Sequence, residues 1–142
     1  MRPSGVTLAR MRAAGCPNLD GIWVPVAANV SGRQLMVAHL RVAQLVIESA
    51  TYRIVDRSDI TLDYGELHLD PHAVPCALDL IGIEGPYAGR RMRAIIEIDG
   101  DRLCVCYDLE RELRPRTMQP LGDQLLLSIT YARAAPIRAM PQ

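Results

Sequence analysis

The histidines, cysteines and arginines of this chain carry most of its chemical potential, so their spacing bounds what it can do. The stretch HLDPH places His68, Asp70 and His72 within five residues, a set of side chains able to ligate metal. The segment reads as a strand running into a proline turn, where side chains diverge. Asp70–Pro71 is a pair that opens such a turn, so no metal site is assigned. Cys104 and Cys106 sit at i and i+2, on one face of a strand and ~6.5–7 Å apart. That is the outer limit for a disulfide. They are read as two small, semi-apolar residues on an outward face, and with Cys16 and Cys76 as free thiols; no zinc-type pairing is present.

Arginine is more informative. In ERELRPRTM, Arg111, Arg114 and Arg116 alternate with Glu110 and Glu112. Two readings stand: Pro115 fixes the backbone so that Arg114 faces an anionic ligand group, or the segment is a salt-bridged loop end that holds the last hairpin. GPYAGRR lacks the phosphate-loop pattern and reverses the chain between strands. No G-x-S-x-G, H-E-x-x-H or cysteine–histidine arrangement is present. No catalytic residue, cofactor or metal is therefore assigned.

The elements that must position these residues are short alternating runs separated by turn residues. GIWVPVAANV ends at the glycine turn SGRQ, LMVAHLRV fits one or two helical turns, and AQLVIES and TYRIVD flank a tight hairpin at Ser49–Ala50. TLDYGELHLD, CALDLIGIEG, RMRAIIEID, RLCVCYDL and QLLLSITYAR complete the series, with Asp-Gly-Asp as a strong hairpin signal. About eight strands at regular spacing, with almost no helical pattern, predict an all-β fold: a small antiparallel up-and-down barrel. Closure also removes exposed strand edges. Residues 1–18 are read as an N-terminal tail, 19–133 as the barrel and 134–142 as a C-terminal tail.

Composition narrows the partners. The formal net charge is zero and all 16 basic residues are arginine, so neither nucleic acid nor an anionic membrane surface is favoured. No run approaches the ~20 apolar residues of a membrane span, and no signal-peptide pattern is seen, which leads to a cytoplasmic expectation. A homodimer is left open.

Taken together, LDGIW, GRQL, TYRI, LHLDPHAVPCALDL, GPYAGRRMRAIIEIDGDRLCVCY, RPRTM and LLLSITYAR resemble a bacterial, planctomycete-rich family of small lipocalin-like domains of unknown function, across roughly Leu19 to Arg133. The chain departs from the family at Ile96, where tyrosine is usual, and at Arg90, where lysine is usual. Family members often carry export signals, which leaves export open. The resemblance implies a barrel plug: Gly21 and Trp23 match the G-x-W signature of the first strand, and Arg133 matches the arginine that lies across the indole. Such a cation–π contact is worth ~0.5–2 kcal/mol.

The inward face is expected to combine Leu103, Val105 and Tyr107 with Leu45, Ile47, Tyr52, Ile54, Leu67, Leu69, Leu78, Leu80, Met92, Ala94, Ile96, Leu125, Leu127 and Ile129. An eight-stranded barrel of this kind either fills itself or holds one small ligand. The first expectation is non-enzymatic binding of a small apolar or amphipathic molecule, with Tyr52, Tyr107, Met92, Arg93, Arg114 and Ile96 as ligand-binding residues. The alternatives are a cofactor-free cyclase or isomerase of lipocalin-like architecture, which works by shaping its substrate, and a protein-interaction module with a solid barrel. For the module, Val24, Val26 and the cysteine face are the candidate surface.

Overall fold

The computed structural model describes residues 18–109, 113–118 and 125–135. The readings of residues 1–17 (with Cys16), of Glu110, Arg111 and Glu112, and of residues 136–142 lie outside these. Nine strands follow in order: β1 Gly21–Val30, β2 Arg33–Leu35, β3 Gln44–Glu48, β4 Thr51–Val55, β5 Thr61–Asp70, β6 Cys76–Glu84, β7 Arg91–Asp99, β8 Arg102–Asp108 and β9 Leu126–Ala135. Every neighbouring pair is antiparallel, and β9 pairs back onto β1 from Val30–Leu127 to Ile22–Ala135. The eight long strands thus close into the expected up-and-down barrel.

The ninth strand is the exception. GRQ was read as part of a turn, but Ser31 (φ 50°) and Gly32 (φ 87°) reverse the chain alone. Arg33 and Gln34 already pair with Val30 and Asn29. This short hairpin occupies the upper stretch of β1, whose lower stretch, Gly21 to Trp23, pairs with β3. LMVAHLRV supplies a single 3-10 turn, Val37–His39. Ser49 and Ala50 (φ 51° and 64°) and Gly100 (φ 61°) make the two tight hairpins. Among the described residues no helix is long and apolar enough to cross a membrane.

The alternation puts one face of every barrel strand inside. Leu45, Ile47, Tyr52, Leu67, Leu78, Leu80, Ala94, Ile96, Leu103, Val105, Tyr107 and Ile129 are all buried in a single core, with Ile54, Leu69, Met92 and Leu127 packed against it. Tyr131, Ala28, Val42 and Leu19 complete it. Leu125 is the departure: it precedes β9 and is only half-buried.

Trp23 closes the lower end of the barrel, the end that holds the β7–β8 hairpin. The indole is fully buried and its Nε1–H donates to the Leu19 carbonyl at 2.8 Å. The Arg133 guanidinium lies 4.3 Å from the ring centroid. It is held there by donating to the carbonyls of Asp20 (2.6 Å) and Asn18 (3.2 Å) and to the Asp101 carboxylate (3.1 Å). Arg133 therefore ties the chain entering β1 to the chain leaving β9, across the last seam of the barrel.

Outside the wall, residues 113–118 form a strap. Met118 packs on Ile95, Cys106 and Leu126, which make a small second core, and Pro115 is buried. The cysteine face, expected to be open, is covered: Cys106 is fully buried and Cys104 half-buried. Burial pushes both thiols above the ordinary cysteine value, against hydrogen bonds that the Thr130 and Ser128 hydroxyls donate to the sulfurs of Cys104 and Cys106.

Candidate functional site

The β7–β8 ladder runs from Asp99–Arg102 up to Ala94–Tyr107 and ends there. Above that pair the strands part company. The start of β7 stays with β6, through the Ile81–Arg91 pair and the Gly82 N–H donating to the Arg90 carbonyl at 2.9 Å. The end of β8 stays with β9, through the Asp108–Leu126 pair and the Leu109 N–H donating to Leu125 at 2.8 Å. The wall therefore forks at its upper edge. A cavity of about 120 Å³ fills the fork, lined by Arg90, Met92 and Arg93 on the β7 side, by Tyr107, Asp108 and Leu109 on the β8 side, and by Tyr87 from the β6–β7 turn.

Local sequence explains why Tyr87 sits there. Gly82 has no side chain, and a Cβ at that position would overlap the Tyr87 carbonyl, so only glycine lets the turn fold this tightly onto β6. The Asp63 carboxylate accepts the Tyr87 backbone N–H, which anchors the turn from the opposite side. The Arg90 guanidinium then lies 5.6 Å from the Tyr87 ring centroid.

The polar groups of the upper barrel are mostly neutral phenols. Burial, then the neighbouring phenols Tyr131, Tyr52 and Tyr87, holds the Tyr107 hydroxyl well above the ordinary tyrosine value. Tyr52 is pushed up to about 12 by burial first and by the Asp63 carboxylate second. Both are hydrogen-bonding hydroxyls at neutral pH, with no negative charge to repel an anion. Asp63 is itself buried, and burial raises its carboxyl despite the Tyr87 N–H and Arg41.

The fork brings together three of the six residues expected to bind a ligand: Met92, Arg93 and Tyr107. Ile96 does not join them. It is 1% exposed, between Cys76 and Val105 in the core. Tyr52 is likewise buried in the core. Arg114 lies on the outer wall and does not line the fork: Nη2 meets Asp79 Oδ1 at 2.7 Å and Nη1 donates to the Ala94 carbonyl at 2.9 Å. Arg91 Nη1 meets Asp79 Oδ2 at 2.6 Å. Arg114 is thus salt-bridged, but to β6 (with a hydrogen bond to β7) rather than to the last hairpin, and Glu110 and Glu112 of the expected loop end lie outside the described residues. A shallow groove of about 350 Å³ runs beside it, lined by His68, Asp70, Asp79, Arg91 and Arg114 among others. Asp70 Oδ1 accepts the His72 N–H at 3.0 Å, the turn expected of Asp70–Pro71, while His68 faces Glu66 at 3.5 Å.

Charge separates the two concavities. The groove sets two guanidiniums against the carboxylates of Asp79 and Asp70. The fork is lined by the guanidiniums of Arg90 and Arg93 and the carboxylate of Asp108, formally net positive by one, together with methionine, leucine and tyrosine. Of the contributing residues not singled out from sequence, Asp63 had a usable signal: counting back from Leu69 and Leu67 in TLDYGELHLD places it on the inward face. Tyr131 follows Ile129 by the same rule. The role of Tyr87 and the Asp79 pairings depend on the turn and on a strap far along the chain, and carry no local signal. Comparison of the chain with protein-family models, curated proteins and solved structures gives no match.

Proposed function

We propose that this protein binds, without covalent chemistry, one small amphipathic molecule with an anionic head, held in the fork between β7 and β8. The observation that carries this reading is the coincidence of a parted strand pair, a cavity of about 120 Å³ and a net positive lining at one place. Met92, Leu109 and the Tyr107 ring offer an apolar wall for the body of the molecule. Arg93 offers a guanidinium donor that matches a carboxylate, and the neutral Tyr107 hydroxyl offers one further hydrogen bond. An apolar cavity of ~150 Å³ is known to accept benzene, so a single ring or a short chain with one carboxylate is the fitting size. A ligand of about ten heavy atoms is expected to bind with a Kd of roughly 0.1–1 mM.

The test is a fluorine-NMR titration with 4-fluorobenzoate, repeated with neutral fluorobenzene and with Met92→Trp, which fills the fork. Saturable binding of the acid, weaker binding of the neutral ring and loss of both in Met92→Trp are expected. Equal binding by wild type and Met92→Trp would place the ligand elsewhere and refute the proposal.

A further inference from the structure

The strap and the fork meet at Ala94. Its pair with Tyr107 is the last rung before β7 and β8 separate, and its carbonyl accepts the Arg114 Nη1–H at 2.9 Å. The same guanidinium holds Asp79, which also holds Arg91. Arg91 lies between Arg90 and Met92, both of which line the fork. The Asp79 side chain is only 12% exposed, while Arg91 and Arg114 are 44% and 32% exposed, so the carboxylate is the buried partner of both ion pairs. One carboxylate thus joins the strap, the crotch of the fork and the strand that forms one side of it.

We propose that the clamp of Asp79 with Arg91 and Arg114 sets the width of the fork, Asp79 acting as a positioning residue for the ligand bound there. The inference rests on the reading of the fork as a binding site. Asp79→Asn keeps the shape and removes the charge. It releases the start of β7 from its outer tie and lets the strap lift from Ile95 and Cys106. Arg114→Gln cuts the strap side of the clamp alone and leaves Asp79 its bond to Arg91.

Two readouts test this. The first is the Kd for 4-fluorobenzoate. The second is the rate at which a thiol reagent modifies Cys106, buried under the strap, in a protein whose other cysteines are serine. Asp79→Asn and Arg114→Gln are each expected to weaken binding by about tenfold, within the range usual for coupled sites, and to speed Cys106 modification. The double variant should bind no more weakly than the weaker single variant, because both cut one clamp. Faster Cys106 modification with unchanged Kd would overturn the proposal, since the clamp would then only fasten the strap; no change in either would overturn it as well. Binding by wild type but unaltered in the variants sinks the clamp alone, whereas no binding by wild type sinks the fork reading and the clamp with it. If Asp79→Asn does not fold, Arg114→Gln carries the test.

Discussion

Replacing Trp23 by phenylalanine should loosen the lower end of the barrel without breaking it, and the cost can be worked out contact by contact. The indole is fully buried, so the lost ring volume, about 40 Å³, becomes void at roughly 24 cal/mol per Å³, or about 1 kcal/mol. The Leu19 carbonyl loses its 2.8 Å partner, and a buried acceptor left unpaired costs about 1–3 kcal/mol. Arg133 keeps its backbone ties but faces a smaller ring, losing part of a contact worth ~0.5–2 kcal/mol. The total is about 2–5 kcal/mol. For a domain near this length each kcal/mol lowers Tm by about 2–4 °C, so a fall of roughly 4–20 °C is expected in melts followed by far-ultraviolet circular dichroism. Asp101→Asn makes the contrast: its carboxylate is 81% exposed, and loss of its bond to Arg133 should shift Tm very little. A fall below about 2 °C for Trp23→Phe would refute the plug as a stabilising element.

Gly65 should tolerate nothing larger: a Cβ there would overlap the Ile81 carbonyl and lie 2.8 Å from the Tyr52 ring, so Gly65→Ala is expected to cost about 2–3 kcal/mol. Gly32→Ala, with φ 87° but open space around it, should cost only backbone strain of about 1–2 kcal/mol; chemical denaturation of both variants gives the comparison, and equal losses would contradict the packing described for β5. Two of the buried aspartates, Asp63 and Asp79, should pull the acid stability profile in opposite directions. Burial raises the Asp79 carboxyl, but the hydrogen bonds and charges of Arg114 and Arg91 outweigh it and lower the net value. Its contribution is therefore complete above the ordinary carboxylate value and lost as pH falls below it. Asp63 is raised, so its ionisation costs stability at neutral pH and that cost disappears on acidification. Melts from pH 3 to 7 should show Asp63→Asn more stable than wild type at pH 7 and converging with it near pH 3, with Asp79→Asn less stable at pH 7 and likewise converging at the acid end. A destabilised Asp63→Asn at pH 7 would contradict the assigned sign.

The barrel was legible because its strands obey a simple period. Leu67, Leu69, Leu78, Leu80, Ala94, Ile96, Leu103 and Val105 could be assigned to one face by alternation alone, and all are inside. Trp23 came from the G-x-W resemblance instead, which also paired it with Arg133. What escaped were departures from the period and contacts across long loops. The hairpin of β1 with β2 escaped because Ser31 adopts a positive φ that its residue type does not announce. The fork escaped because strand separation after Ala94–Tyr107 leaves no mark in either run; RMRAI and VCYDL look like continuous strands. Arg114 was seen as significant, but its partner could not be chosen, since Asp79 lies 35 positions earlier on another strand. Alternation marks Asp79 as outward, and only the strap explains why an outward aspartate is buried.

Amide chemical-shift mapping of the isotope-labelled protein during a benzoate titration shows directly whether a small anionic amphiphile binds in the fork. Saturable shifts are expected at residues 87–93 and 107–109, with the Trp23 indole N–H unmoved at the far end of the barrel. Shifts concentrated instead along the outer groove at His68, Asp70 and Ala77, or at no residue, would contradict binding in the fork.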